Sequence, residues 1–308
     1  MTTTPLPDPP TMTTGPTQLT LPDGRRLAWT ETGDPQGRPL LWFHGSPSSR
    51  LDAAPGGPFS KQLADLGVRL IGADRPGYGL SCSHPGRTLL TAADDTAALA
   101  DALGLDRFAA AGWSGGGPVA LAVAARLGHR VTGVAVLAGL APPHLAGHED
   151  LAETALFELA LSDPTSLYAQ LHSLAEVMRT DPFTAALSML GDHLGEADLA
   201  AVSEPAFAAA MAASLAEAAR GDLVGYGQDL TTLARNWQFE LADVRQPVLL
   251  LHGRQDGIVP LRHGQAVAAA LPDATLTTTD DGHLSVVSHL PGLAATLVGE
   301  PARTRSTT

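Results

Sequence analysis

The chain of 308 residues carries a formal charge of −13, a single cysteine and an apolar fraction of 44%. That length allows one large domain or two ordinary ones, and that apolar fraction supports a sizeable core, which excludes a wholly disordered chain. The acidity argues against a nucleic-acid binder, which needs clustered Lys and Arg, and Cys82 alone excludes an internal disulfide or a multi-cysteine metal site.

Residues 1–17 are Thr/Pro-rich with no apolar core, so they read as a disordered tail and not as a secretory signal; residues 301–308 read the same way. Segments 18–21 and 25–30 flank Pro22-Asp23-Gly24 and predict a β-hairpin. Strands and helices then alternate. Strands are predicted at 39–44 (PLLWFH), 68–74 (VRLIGAD), 107–113 (RFAAAGW) and 131–138 (VTGVAVLA), with helices at 90–103 and 116–127. Continuous apolar strands of this kind suit a parallel sheet buried on both faces. From about 141 to 238 no convincing strand occurs. Ala/Leu-rich helical segments run there instead, broken at Asp163-Pro164, Asp181-Pro182, Gly191-Asp192, Glu204-Pro205 and Gly221-Asp222. The alternation resumes with a strand at 246–252, a helix near 263–271, a strand at 274–279 and a helix near 284–297. About 100 helical residues thus interrupt one α/β domain, with 18–139 and 239–300 as its core and 140–238 as a helical cap. No stretch approaches about 18 consecutive apolar residues, so no membrane span is expected.

Gly112-Trp113-Ser114-Gly115-Gly116 falls between a predicted strand and a predicted helix. This Gly-x-Ser-x-Gly pattern is that of a nucleophile elbow, in which a sharp turn lifts a serine oxygen above a sheet edge and onto a helix N-terminus. A tight turn with an inert serine is the plainer alternative, and the strand–turn–helix setting weighs against it.

With His44-Gly45-Ser46-Pro47, the run Asp74 to Ser81 (DRPGYGLS), Gly112 to Gly116 and the pair Asp256 and His283, the chain resembles an α/β-hydrolase with a helical cap over residues 18–300. The resemblance implies an α/β fold with a mostly parallel central sheet flanked by helices. It also implies a serine nucleophile at Ser114, an acid at Asp256 on the loop after a late strand and a base at His283 after the last strand, in the order Ser…Asp…His. The oxyanion donors it implies are the amides of Gly115 and Ser46, with the Ser46 hydroxyl as a candidate third donor. Trp113 and His44 are candidate substrate contacts, although His44 also reads as a brace for its loop. Arg50 and Arg75 are candidates for loop-locking ion pairs. His252 reads as structural, His263 and His289 as helix-surface residues, and Asp280 and Asp281 as solvent-facing.

Within that superfamily, epoxide hydrolases and haloalkane dehalogenases carry Asp at the elbow. Ser114 therefore points to a serine hydrolase of small or medium ester-like substrates. Alternatives are a proline-iminopeptidase-like aminopeptidase, a carbon–carbon-bond hydrolase or a perhydrolase, and, from other classes, a non-hydrolytic small-molecule binder or a biosynthetic cyclase. The cap supplies apolar candidates for a pocket, among them Phe157, Met178, Met189, Phe207, Met211 and Tyr226, together with carboxylates at Glu149, Glu153, Glu158, Glu176, Glu204 and Glu217. Proline iminopeptidases use cap carboxylates to hold an amino terminus, but most helix carboxylates are solvated faces. Neither a metal-ligand spacing nor a phosphate loop occurs, so no metal and no cofactor are expected. The expected partner is a small-molecule substrate, with no nucleic acid and no membrane. The oligomeric state stays open and the expected compartment is the cytoplasm.

Overall fold

A computed structural model describes residues 17–54 and 56–299. The tails predicted at 1–17 and 301–308 lie outside these residues except for Thr17, which opens the first strand. The core begins with β1 (Thr17–Thr20), β2 (Arg26–Gly33), β3 (Arg38–Phe43), α1 (Ser60–Asp65), β4 (Val68–Ala73), α2 (Leu89–Ala102), β5 (Phe108–Trp113), α3 (Gly116–Arg126) and β6 (Val131–Leu137). The insertion follows with α4 (Thr154–Ser162), α5 (Pro164–Thr180), α6 (Pro182–Leu190), α7 (Glu196–Ser203), α8 (Pro205–Ala218) and α9 (Val224–Ala234). The core closes with β7 (Val248–Gly253), α10 (Arg262–Ala270), β8 (Ala274–Thr279) and α11 (Leu290–Val298).

The eight strands form one sheet in the order β1-β2-β4-β3-β5-β6-β7-β8. β1–β2 and β2–β4 pair antiparallel, and all later pairs are parallel. Side chains alternate along each strand, so every central strand serves two cores. Leu41 and Phe43 on β3, Ala110 on β5 and Val134 and Val136 on β6 pack with Leu99 of α2, Val119 of α3 and Val267 of α10. Leu40 and Trp42, Ala109 and Ala111, and Ala135 and Leu137 face the other way, toward Leu63 of α1 and Leu290 and Ala294 of α11. Each large aliphatic buried this way contributes about 1.5–3 kcal/mol. This two-faced burial is why the strands read as unbroken apolar runs.

Proline and aspartate set the starts of the insertion helices. Pro164, Pro182 and Pro205 occupy the first turns of α5, α6 and α8, where a missing N–H leaves no bond unmade. The Asp163 and Asp181 carboxylates accept from the amides of Ser166 and Thr184 at 3.2 and 3.1 Å and cap α5 and α6.

Three elements depart from expectation. β2 runs beyond the hairpin to Gly33 because its far end pairs with β4, down to Gly33 opposite Arg69. The helix predicted near 284–297 is divided: Ser285–His289 is a 3-10 turn and α11 starts after it, with Pro291 in its first turn. The six-residue α1 has one fully buried side chain, Leu63, too little to show a periodicity. Among the described residues no single helix is long and apolar enough to cross a membrane, and no group of three His, Cys, Asp or Glu side chains is placed to hold a metal ion.

Candidate active site

β5 ends at Trp113 and α3 begins at Gly116, so the chain must reverse over two residues. Ser114 makes that turn in the left-handed region, at φ 53°, a conformation that costs a non-glycine residue about 1–3 kcal/mol. The surrounding structure holds it there. The Ser114 amide donates to the Leu137 carbonyl at 2.9 Å, and the Gly117 amide donates to the Ser114 carbonyl at 2.9 Å. A Cβ on Gly116 would overlap the carbonyl oxygen of Phe43, so only glycine lets α3 start this close to β3.

Two loops from the carboxyl edge of the sheet bring Asp256 and His283 together. His283 Nδ1 lies 2.9 Å from Asp256 Oδ2. The other Asp256 oxygen accepts from the amides of Ile258 and Val259 at 3.0 and 2.8 Å. His252 stands on the same carboxylate, Nε2 to Oδ2 at 3.4 Å, and its Nε2 also lies 2.8 Å from the Val259 carbonyl. Burial pushes the Asp256 carboxyl upward, but the His283 and His252 rings outweigh it and hold it well below the usual carboxylate range. Burial likewise drives His283 toward its neutral form, and the Asp256 carboxylate outweighs that, leaving its pKa above the ordinary histidine value. Asp256 thus fixes the imidazole so that its Nε2 faces away from the acid. No hydrogen bond joins Ser114 to His283 in this structure.

The loop after β3 is locked from below. Arg75 donates to the carbonyls of His44 and Gly45 and to the Ser46 hydroxyl, the last two at 2.9 and 2.8 Å. Its Nη2 also meets Asp229 of α9 at 2.5 Å. Asp229 further accepts from the hydroxyls of Tyr78 and Ser46, at 2.7 and 2.5 Å, and from Arg87. Burial alone would raise the Asp229 pKa, but Arg75 and Arg87 hold it far below the usual range. The Ser46 hydroxyl therefore donates to Asp229 and is not free to act as a third oxyanion donor. Its residue nevertheless adjoins Gly115, since a Cβ on Gly115 would press on the Ser46 side chain. His44 is fully buried, with Nδ1 2.8 Å from the Gly45 carbonyl and Nε2 accepting from the Arg75 amide at 3.2 Å. Burial and then Arg75 hold its pKa well below the ordinary value. It braces the loop and lines neither cavity described next.

Ser114 faces two cavities. The larger holds about 1050 Å³ with its mouth included and is lined by Trp42, Trp113, Met178, Met189, Phe207 and Met211 among others. The smaller, about 320 Å³, is lined by Gly115, Phe157, Tyr226, Leu230 and Leu233. Ser114, Ser46, Glu153 and Ile258 line both. Of the insertion's apolar candidates, Met178, Met189, Phe207 and Met211 thus line the larger space and Phe157 and Tyr226 the smaller. Trp113 also donates from Nε1 to the His283 carbonyl at 3.0 Å.

Other expectations meet mixed outcomes. Arg50 makes a buried pair with Asp74 at 2.6 Å and reaches Glu217 of α8 at 2.7 Å. Asp280 is exposed and pairs with Arg254, while Asp281 meets His289 at 2.8 Å. His263 is not a surface residue: it is fully buried, its Nδ1 accepts from the Ala141 amide at 3.1 Å, and burial followed by Arg262 lowers its pKa to about 4. Sequence reasoning did not find Asp198, Asp229 or Arg87. All three are buried charges whose partners are at least 85 residues away or on other elements, and no local pattern marks them.

A strained serine on a strand-to-helix turn, an Asp–His pair on later loops of a mostly parallel sheet and a helical insertion over that edge define the α/β-hydrolase class. The sequence profile of the alpha/beta hydrolase fold matches residues 38–290, and the chain belongs to this family. The chain is 36% identical over 195 residues, 62% of its length and 72% of the relative's, to a pimeloyl-[acyl-carrier protein] methyl ester esterase of Aromatoleum aromaticum. It is 28% identical over 262 residues, 82% and 83% of the two chains, to a 2-hydroxymuconate semialdehyde hydrolase of Pseudomonas putida. Among solved structures, an enol-lactonase from Burkholderia xenovorans superposes with a TM-score of 0.65 at 19% identity, covering 92% of this chain and 98% of that one. These relatives are hydrolases, and this protein is a hydrolase enzyme of the same fold.

Proposed function

We propose that the enzyme is a serine hydrolase of carboxylic esters that works through an acyl-enzyme. The observation that carries this reading is the 2.9 Å Asp256–His283 pair, whose carboxylate is pinned by two amides, with the His283 ring 5.5 Å from that of Trp113, the residue before a strained Ser114 that lines both cavities. Ser114 Oγ attacks the ester carbonyl and its proton passes to His283 Nε2. The amides of Gly115 and Ser46 take the oxyanion. Collapse breaks the C–O bond, and the leaving alcohol takes the proton from His283. Water then adds to the acyl-enzyme, giving a proton to His283, and the acid leaves as Ser114 is reprotonated.

Two cavities of unequal size meeting at Ser114 favour an ester with one large apolar part and one small part. The small cavity carries the Gly115 oxyanion donor and suits a short alkoxy or acyl group. The similarity to a protein named as a methyl ester esterase supports this reading.

A second reading, aminopeptidase-like hydrolysis, has one observation in its favour. Glu153 lines both cavities beside Ser114, and one of its oxygens accepts from the Tyr226 hydroxyl. Burial raises its pKa, which weakens it as an anchor for a cationic amine.

The test begins without a substrate. A fluorophosphonate should form an adduct mapped by mass spectrometry to Ser114, and His283→Ala should suppress it. Methyl, butyl and aryl esters, with proline naphthylamide as comparator, should then separate esterase from peptidase action. A folded protein that gives no adduct would refute the activated serine and favour a ligand-binding or cyclase role.

A further inference from the structure

The loop that carries His283 is held by a residue of the helical insertion. Asp198, on α7, is fully buried. Its Oδ2 accepts from the His283 amide at 2.9 Å, and its Oδ1 accepts from the amides of Leu284 and Ser285 and from the Ser285 hydroxyl, each at 2.9 Å. Four donors thus converge on one carboxylate. Three are consecutive amides, of His283, Leu284 and Ser285, at the start of a 3-10 turn. The approach is close: a Cβ on Gly282 would overlap the Asp198 carboxylate, so the glycine before His283 is required for the contact. The same stretch of the insertion reaches the acid's loop, where the His193 carbonyl lies against Gly257 and Gly195 lies against Gln255. Both loops that carry the Asp–His pair are therefore contacted by residues 193–198.

We propose that Asp198 is a positioning residue that fixes the His283 loop against Asp256 and so makes the orientation of the base depend on the seating of the helical insertion. The proposal rests on the reading of His283 as the general base. Asp198 touches only backbone and Ser285, so it acts through His283 and not on substrate. Its charge also helps to raise the His283 pKa, together with Asp256 on the β7 loop and Glu153 ahead of α4. His252 faces the same pair through Asp256. Asp281, in the His283 loop itself, is engaged by His289.

The test compares wild type, Asp198→Asn, Asp198→Glu and His283→Ala, all checked for folding by thermal melting. Two readouts follow: the rate of fluorophosphonate addition to Ser114 across pH 5–9, and backbone hydrogen exchange of the peptide spanning 280–290. Asp198→Asn keeps an acceptor for Leu284 and Ser285 but turns an amide donor toward the His283 N–H. It should slow addition by about 10- to 100-fold, the range expected from a displacement of about 1 Å in a reacting group. It should also raise exchange in 280–290 and move the acid limb of the profile to lower pH, because a nearby negative charge is lost. Asp198→Glu should slow addition while leaving the acid limb in place. A folded Asp198→Asn with wild-type rate, limb and exchange overturns the proposal. If wild type forms no adduct, or His283→Ala labels as fast as wild type, the reading of the base fails and the positioning role fails with it, whatever the exchange data show.

Discussion

Replacing Asp229 by Asn is the sharpest test of how the loop after β3 is held. The carboxylate is buried between Arg75 and Arg87 and also takes the hydroxyls of Tyr78 and Ser46. Removing its charge leaves two guanidiniums inside the protein without a counter-ion, a loss that typically costs about 3–5 kcal/mol. Both cations keep backbone acceptors, Arg75 at His44 and Gly45 and Arg87 at Gly225, so the low end applies. The expected destabilisation is about 3 kcal/mol, or about 6 °C at roughly 2 °C per kcal/mol for a chain of this size. The pH dependence adds a second mark. Asp229 has a depressed folded pKa, so its contribution is complete above the unfolded value near 4 and is lost as pH falls below it. Denaturant melts of wild type and variant should differ by a constant amount from about pH 5 to 7, and the gap should shrink by about 1 kcal/mol toward pH 3. A gap under about 1 kcal/mol at pH 7, or one that does not change on acidification, would refute the argument that this ion pair holds the loop.

Three further outcomes follow from the site. Asp256→Asn should preserve the fold but lower esterase turnover by about 10³- to 10⁴-fold, because the imidazole loses its tautomer control; steady-state kinetics on a cleaved ester would show it. Gly116→Ala should destabilise by about 1–3 kcal/mol or more, since the new methyl meets the Phe43 carbonyl and backbone has nowhere to yield; a thermal melt reads this directly. The raised pKa of His283 should place the acid limb of kcat/KM above about pH 6.5, with activity rising as the ring loses its proton. The same ion pair contributes stability that is full below the unfolded histidine value and is lost as pH rises through the folded one, so stability and activity should move in opposite directions across that limb.

The parallel sheet was legible because burial on both faces forces long apolar runs, as in the strands around Leu40, Ala110 and Val136. The elbow at Ser114 was legible because its constraint is local: the turn needs glycine on either side, and those glycines are in the motif. The breaks at Asp163-Pro164 and Asp181-Pro182 were legible for the same reason, since cap and proline act within one turn. What stayed hidden depends on distant partners. The sequence around Asp198 is a short acidic helix that looks solvated, and only the fold places it on the amides of 283–285. Asp229 likewise reads as a polar position on a helix, until Arg75 and Arg87 come to it from the core. His263 reads as a helix-surface residue and is buried because the chain entering the insertion crosses it at Ala141.

These distant partners give the insertion an unequal attachment. α7 holds the His283 loop through Asp198, α8 holds the segment after β3 through Ser214 on Asp52 and Glu217 on Arg50, and α9 holds the Ser46 loop through Asp229. Between 164 and 190, by contrast, the side-chain hydrogen bonds and ion pairs among the described residues stay within the insertion: Arg179 reaches Ala219 and Asp222, and His172 reaches Asp222 and Glu176. This half nevertheless walls the larger cavity with Met178, Ala186, Met189 and Leu190. Lifting the whole insertion would break the ties at Asp198, Asp52, Glu217 and Asp229 at once, whereas displacing α6 would separate only apolar surfaces. Substrate should therefore enter by local yielding of α6 and its neighbours, while α7 to α9 stay seated and keep the loops in register. Hydrogen exchange should be fastest over 182–190 and slower over 205–218 and 224–234. Uniform exchange across all three segments would mean that the insertion opens as one body, and the His283 loop would then be released each time the cavity is entered.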